Sequence, residues 1–536
     1  MSRSAIAIRF TVSLAMLIAG SATPAQSEPL VLMTAALKRY VDRFNRHDVE
    51  SMINHIPNQA AFDFLKDNIP LLDCPDEDIE RTYYFRWWTY RKHLKETPDG
   101  FVVLEFLPPV SWAGKHNTIS CPAGHHFYEG RWLRERRYLD DYSVFWIRKG
   151  GEPRRYSFWA ADSIYSRFLV TGDRRLTTEL LPDLVANFEA WENGWAVDPK
   201  QKDAGAARLG PNGLFWQIDD RDGMEISIGG SGYRATINSY MYGDAVAIAR
   251  IAEIAARSDI ATRFRRRAAE IKTAVEEKLW DEQAQFFKVL PQDPGAKLAD
   301  VRELHGYTPW YFSLPSSRYS VAWKQLIDRD GFYAPYGPTT AERRHPRFMF
   351  EHKHECLWNG PSWPFATSAT LTAMANLLNN YSQEFVSRRD YLELLRIFAR
   401  SHRMKLPDGT IVPWIDENLH PDTGEWIART ILHARDRRDK DRGKDYNHSS
   451  FCDLVISGLI GLRPRADNVV EVRPLVPDGA WDYFALDNVR YRDRTLTILY
   501  DRTGRRYGRG RGLRVYADGQ QIAASEKLQR VTGSLK

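Results

Sequence analysis

The chain has 536 residues, 43% apolar and 27% charged, with 34 Gly and 28 Pro; that balance excludes a wholly disordered or collagen-like protein and leaves length for a large core. Lys plus Arg exceed Asp plus Glu by 75 to 69, and the interspersed signs mark neither a nucleic-acid binder nor a protein of anionic membranes. The 17 Trp, 25 Tyr and 25 Phe exceed what most cores require, and both plain packing and stacking on a flat ligand would use them.

The N-terminus carries Arg3 and Arg9, an apolar run from Phe10 to Ala19, and the small residues Gly20 to Ser27. This is the layout of a cleavable secretory signal over residues 1–27, cut after Ala25 or Ser27. The apolar run is short for a bilayer span, the alternative being an uncleaved anchor. Export to the periplasm or beyond is expected, with no membrane contact after cleavage. Export also permits disulfides: Cys74, Cys121, Cys356 and Cys452 allow three pairings or stay as buried thiols, and none has zinc-site spacing.

Downstream, apolar stripes at helical spacing come in pairs. Ile164 and Phe168 precede Gly172-Asp173 and the stripe Leu180, Leu184, Phe188 and Trp191. Met241, Ala245, Ile248, Ala252 and Ala255 predict a helix over 238–256, followed by the stripe Phe264, Ala268, Ile271, Val275 and Leu279. Arg263, Arg265, Arg266 and Arg267 flank that second stripe as a solvated face. Leu371, Met374, Leu378 and Tyr381 are answered by Tyr391, Leu394, Leu395 and Phe398, and a last helix is expected over 453–462. These are helical hairpins without a fixed period, which argues against a regular solenoid and for a closed helical domain over 28–465. Past Pro464 the pattern changes. Val470 and Val472, then Leu496, Ile498 and Tyr500, then Leu513 and Val515 alternate with period two, predicting a small antiparallel β-rich module over 466–536.

The connections between hairpins carry Trp, Gly, His and carboxylates in place of a linker's Ser and Gly. Arg86-Trp87-Trp88 and His125-His126 mix rings with cationic and imidazole groups. Asp222 and Glu225 sit in a Gly-rich loop that serves equally as turn chemistry and lacks the Lys and spacing of a phosphate loop. Trp358, Asn359 and Trp363 belong to Trp-Asn-Gly-Pro-Ser-Trp, either a ring wall for a sugar or a helix entry using Ser362 and Pro364. Trp414, Glu417 and Asn418 precede the turn Pro421 to Gly424; Tyr446 and His448 lie ahead of the last helix, where Ser449 or Ser450 also serves as a cap. His352-Lys353-His354-Glu355 sets its groups on adjacent or alternate positions, a solvent-facing pattern more than a metal site. Carboxylates beside rings, on loops of one scaffold, match the needs of glycoside hydrolysis. One acid protonates the leaving oxygen, a second carboxylate is base or nucleophile, and rings with Asn, Arg and His hold the sugar. That chemistry calls for no metal and no cofactor, and its partner is a carbohydrate.

At these residues the chain resembles the six-hairpin, (α/α)6-toroid glycosidases, specifically the glycoside hydrolase family 63-like group of processing α-glucosidases and bacterial mannosylglycerate hydrolases, with trehalases more distant. The resemblance spans roughly residues 75 to 465 and is strongest in the order of motifs. In that family an acid Asp follows a Ser-Gly-aromatic or Ser-Gly-Met element ahead of an Asn-Ser-Tyr helix; Asp222-Gly223-Met224-Glu225 ahead of Asn238-Ser239-Tyr240 puts Glu225 in the acid position. The family's Trp-Arg-Gly-Pro-x-Trp is matched by Trp358 to Trp363, with Asn359 in place of Arg. Its base element, Glu-Asn-x-x-Pro-x-Thr-Gly, is matched by Glu417-Asn418 and Pro421 to Gly424. The resemblance implies a mainly α fold, an (α/α)6 toroid of helical hairpins with a small C-terminal antiparallel β-rich module. It also implies exo-acting inversion at an α-linked sugar: Glu225 protonates the glycosidic oxygen while Glu417 activates a water, the carboxyls standing about 6.5–9.5 Å apart. For that role burial or a neighbour such as Asp222 should raise the pKa of Glu225. Glu225 is one methylene longer than the family's Asp, which makes Asp222 a rival acid, and Asn359 implies a different sugar or subsite. Two other functions stay open. One is a non-catalytic carbohydrate-binding toroid, motivated by those departures; the other is a polysaccharide lyase, with Tyr446 or His448 as base and Arg86 neutralising a uronate. Nothing in the sequence sets an oligomeric state.

Overall fold

The structure, a computed structural model, describes residues 29–196 and 205–535; the expected signal over 1–27 lies outside them. In chain order the main helices are α1 (Ala35–His47), α2 (Glu77–Lys92), α3 (Ala123–Gly130), α4 (Arg137–Arg148), α5 (Ala160–Thr171) and α6 (Leu181–Asn193). They continue with α7 (Ala235–Ile254), α8 (Ser258–Lys278), α9 (Thr308–Tyr311), α10 (Pro364–Asn380), α11 (Arg388–Ser401) and α12 (Phe451–Asp453). The fold is mainly α with a β-rich C-terminal part.

The helices fall into two kinds, and composition decides which is which. α8 is amphipathic: Phe264, Ala268, Ile271 and Val275 are buried, while Arg263 and Arg265 face solvent in ion pairs with Glu189 and Glu253. α7 is buried on nearly every side, so even its polar residues need internal partners. Asn238 donates to the carbonyls of Phe215 and Arg234 at 2.7 and 2.8 Å and accepts from the Phe215 amide at 2.8 Å. Asp244 accepts from the Asp162 amide at 3.0 Å. The buried helices contact one another in a circuit. α3 packs on α5, α5 on α7, α7 on α9, α9 on α10, α10 on the turn after α12, and α12 returns to α3.

The last expected helix forms differently. α12 passes at once into a π-turn, Leu454–Leu459. The Tyr391 hydroxyl donates to the Leu454 carbonyl at 3.0 Å, and the following amides reach one residue further back: Ile460 to Val455 at 2.8 Å and Gly461 to Ile456 at 3.0 Å. A side-chain donor inserted into the ladder widens it in this way.

The β-rich part comprises β2 (Leu462–Arg463), β3 (Val469–Val472), β4 (Tyr483–Tyr491), β5 (Arg494–Asp501), β6 (Gly512–Ala517), β7 (Gln520–Ser525) and β8 (Val531–Ser534). Together with β1 (Leu71–Asp73) from near the N-terminus, these make an antiparallel five-stranded sheet in the order β1-β4-β5-β6-β7, and a three-stranded sheet β2-β3-β8. The alternation in β5 buries Leu496 and Ile498 on one face; Leu499 on the other joins Ala485 and Tyr516 under Leu30 to Leu32. Among the described residues no helix is long and apolar enough to cross a membrane, and all four cysteines are free thiols.

At the start of α5 the α3 backbone lies directly against an indole. A Cβ on Gly124 would run into the indole of Trp159, which is itself buried against Tyr240. Gly124→Ala is therefore expected to lower stability by about 1–3 kcal/mol through overpacking, despite alanine's better helix propensity. Urea unfolding measures it, and an unchanged or raised midpoint would contradict close packing at this point.

Candidate active site

The central feature is a cavity of about 380 Å³ whose walls bring together Glu105, Glu225, Glu355 and Glu417 with Phe106, Trp112, Tyr156, Trp358, Trp363, Phe365, Tyr446 and His448. The connections between helices supply all of these side chains except Phe365, which stands in the first turn of α10, and the connections that carry Glu225 and Glu417 are pinned by their neighbours. Glu225 follows a tight turn over Asp220–Asp222, with Gly223 at φ 70° and Ile226 at φ 63°. Its carbonyl accepts from the Trp358 amide at 3.1 Å, and its Oε2 accepts from the Cys356 thiol at 2.8 Å. Glu417 rests on a loop tied to the Trp-Asn-Gly-Pro-Ser-Trp element, because Ser362 and Leu419 exchange main-chain bonds of 2.9 and 2.8 Å. The Arg442 Nε donates to Glu417 Oε1 at 3.1 Å.

Burial sets the electrostatics. It pushes Glu225 up to about 8, with Asp220 adding to the rise and the Cys356 thiol opposing it. Burial likewise raises Glu105 to about 8; the Tyr446 hydroxyl, which donates to it, opposes this, while Glu417 and Glu225 reinforce it. Glu417 is raised by burial as well, and here the Arg442 guanidinium restrains the rise. Arg442 also binds Asp439 at 2.9 Å, and its carboxylate partners hold it firmly protonated against the cost of its own burial.

Of the residues anticipated from sequence, Glu225, Glu417, Trp358, Trp363, Tyr446 and His448 line the cavity. The two tryptophans stack at 4.8 Å and 16°. His448 lies against Tyr446 at 3.6 Å and edge-on to Trp363, and burial keeps it neutral. The others stand outside. Asp222 is fully buried and receives Arg234 Nε at 2.7 Å and the Thr236 hydroxyl. It is an ion-pair partner of Arg234, and the carboxylate that adds to the rise in Glu225 is Asp220. Arg86 lies beneath the cavity, donating to the Ser449 hydroxyl and carbonyl and to His402. Trp87 is core, edge-on to Tyr83 and Tyr90; Trp88 stacks on Phe85 and donates to Asn45 at 2.8 Å. His125 meets Ser450 at 3.2 Å, and His126 meets the Asn447 carbonyl at 2.6 Å. Asn359 donates to the Glu351 carbonyl at 3.1 Å. Trp414 lies under Arg429 at 4.8 Å. Asn418 caps the helix Ile427–Ala434, accepting from the Ala428 amide at 2.9 Å. All nine are buried; Trp87 and Trp88 belong to the core around α2, and Arg86, His125, His126, Asn359 and Asn418 bind the loops around the cavity.

Sequence reading missed Glu105, Cys356 and Arg442. Glu105 has a visible signal, a lone carboxylate ending the apolar run Phe101 to Leu104. Arg442 has none, since it sits in the charge-dense stretch Arg435 to Lys444, where most neighbours are solvated. His354, Glu355 and Cys356 also reach the cavity.

Paired carboxylates in a ring-lined cavity on a helical scaffold define a class, the glycoside hydrolases. A family model described as the mannosylglycerate hydrolase MGH1-like glycoside hydrolase domain matches residues 115–449, more than half of the chain. A second, the C-terminal domain of glycosyl hydrolase family 65, matches 462–523. The chain belongs to the MGH1-like glycoside hydrolase family. Among solved structures it is similar to a protein named sialidase, with 40% identity over 94% of this chain and 45% of that one and a TM-score of 0.86. This chain thus spans less than half the length of that relative. It is also similar to the GH63 mannosylglycerate hydrolase of Thermus thermophilus in complex with glucose, at 14% identity over 66% of this chain and 95% of that one, TM-score 0.45. A GH78 rhamnosidase of a Bacillus species matches at 12% identity over 84% and 41%, TM-score 0.49.

The geometry separates Asp222 from Glu225 experimentally. Asp222→Ala leaves Arg234 buried without its carboxylate, and about 3–5 kcal/mol of stability should be lost. Glu225→Gln should leave the thermal midpoint near that of the parent protein. Equal midpoints for Asp222→Ala and the parent would contradict the ion-pair role.

Proposed function

We propose that this protein is an inverting, exo-acting glycoside hydrolase for an α-linked neutral sugar, with Glu225 as general acid and Glu417 as general base. One observation carries the assignment. Two buried carboxylates share one ring-lined cavity in unlike surroundings, one against rings and a thiol, the other against a guanidinium. Glu225, raised to about 8, keeps its proton near neutrality and can give it to a leaving oxygen. Arg442 favours the ionised form of Glu417, as a base requires. A cavity of about 380 Å³ suits the end of a glycoside better than the interior of a polymer. The circuit of buried helices, with α7 backed by α8 and α10 by α11, supports the reading of the scaffold as an (α/α)6 toroid. We also read residues 1–27 as an export signal.

The charge of the cavity supports a neutral sugar. Asp220, Glu105, Glu225, Glu355 and Glu417 line it, against Arg221 and Arg442. Arg442 is engaged by Glu417 and Asp439, and Arg221, over the Tyr156 ring at 5.4 Å, is the other guanidinium set against those five carboxylates. A carboxylated sugar would meet that negative excess, and the name of the sialidase relative belongs to a chain more than twice as long. The lyase alternative weakens too, since its uronate-neutralising Arg86 already binds Ser449 and His402.

Glu417→Gln should lose about 10²–10⁴-fold in turnover with folding intact; an active variant would remove Glu417 from the mechanism. With the parent enzyme, kcat/KM should fall as pH rises past about 8, where Glu225 gives up its proton. NMR of the freshly released sugar should show the opposite anomer, and net retention would overturn inversion. Across a glycoside panel, neutral α-glycosides should be cleaved at least about tenfold faster than sialosides or glucuronides. The reverse preference would refute the neutral-sugar assignment.

A further inference from the structure

General acid catalysis leaves one contact in the cavity without a task. The Cys356 thiol donates to Glu225 Oε2 at 2.8 Å. It belongs to a connection that also binds the Glu225 main chain, through the Trp358 amide at 3.1 Å. The residue before it, Glu355, reaches the opposite loop: its carbonyl accepts from Asn418 Nδ2 at 3.2 Å, and its carboxylate meets Arg435 at 3.2 Å and Arg442 at 3.7 Å. One short connection therefore ties the carboxylate assigned as acid to the loop that carries the base.

A carboxylic acid can offer its proton from one oxygen only, and a free Glu side chain has a rotatable carboxyl. A donor fixed on Oε2 makes that oxygen the acceptor and leaves Oε1 to carry the proton. We propose that Cys356 is a positioning residue for the acid, its thiol fixing the Glu225 carboxyl so that Oε1 faces the glycosidic oxygen; this rests on the hydrolytic reading above. The groups facing Glu225 from the surrounding elements are Asp220, Glu105, Tyr156, Cys121 and Cys356 itself. Asp220 and Glu105 are acidic, and Tyr156 and Cys121 are neutral hydroxyl and thiol groups. Asp220 also shares a hydrogen bond with the carboxyl and the Glu225 amide donates to it, so Cys356 is the side chain, beside that amide, whose donated bond favours the ionised form. The hydrogen bond favours the ionised carboxylate, so its loss should move the alkaline limb of the pH profile upward.

Two measurements test this. Cys356→Ala should lose about tenfold in kcat with KM nearly unchanged and the alkaline limb shifted to higher pH, and Cys356→Ser, which restores a donor, should recover most of both. An alanine variant with parental kcat and limb overturns the proposal, and so does a serine variant no better than alanine, which would show mere filling of space. The second measurement needs no substrate. In a Cys121→Ser background the remaining cysteines, Cys74 and Cys452, are buried, so iodoacetamide reports on Cys356. Above about pH 8, where Glu225 is ionised and the thiol is not yet, Glu225→Gln removes the charge beside the thiol, and alkylation at a fixed pH in that range should quicken about tenfold. An unchanged rate overturns the thiol–carboxylate contact. If alkylation quickens but no glycoside is hydrolysed, the contact stands and the hydrolytic reading falls.

Discussion

The cavity depends on one stretch of chain that has no regular structure. Tyr446 to Ser450 runs extended and buried through the middle of the helices, where every main-chain carbonyl must find a donor. His126 serves the Asn447 carbonyl at 2.6 Å and Arg86 serves that of Ser449 at 3.1 Å, while just upstream His93 serves Asp445 at 2.7 Å. The Asn447 side chain and amide in turn hold Leu104 and Glu105 at 3.2 and 3.0 Å. Without these donors Tyr446 and His448 could not stand in the wall, and Glu105 would lose its anchor. Arg86 of α2, His93 just after it and His126 of α3 thus act as supports for a buried, irregular segment.

The histidines of this layer are neutral. Burial holds His125 and His402 at about 3 and His126 at about 4. The hydrogen bonds agree with neutral rings: the Phe398 carbonyl takes the Nδ1 proton of His402, leaving Nε2 to accept from Arg86. Arg86 is the fixed cation of this layer, and its bonds are to neutral acceptors. The floor therefore gives the carboxylates above it little positive charge, and rings and burial dominate their environment.

The same physics explains what could be read from sequence. Stripes at α7, α8, α10 and α11 were legible because period and burial coincide there. Glu225, Glu417, Trp358, Trp363, Tyr446 and His448 were legible because they lie in motifs whose order matches a known family. Arg86, His126 and Asn418 share the same motif-like look, yet they bind carbonyls and amides. A donor on an apolar body serves a sugar hydroxyl and a buried carbonyl equally well, and a single sequence carries no mark of which it faces. The surplus of rings divides the same way. Trp87, Trp132, Trp159, Trp191, Trp310 and Trp323 are fully buried in the core, and among the described residues Trp112, Trp358 and Trp363 are the tryptophans that line the cavity.

What separates the two carboxylates is their partners, since burial acts on both. In a uniformly apolar cavity Glu225 and Glu417 would both be pushed toward the neutral form, and two protonated acids cannot invert an acetal. Arg442 breaks that symmetry. It is held protonated by Glu417 and Asp439 together, so it opposes the burial of Glu417 while leaving Glu225 to the rings and the weak thiol donor. The arginine was hidden in a charged stretch that reads as solvated surface. Only folding brings this arginine of the stretch inward, where it gives two similar buried carboxylates unlike surroundings, the difference on which the proposed acid and base roles rest.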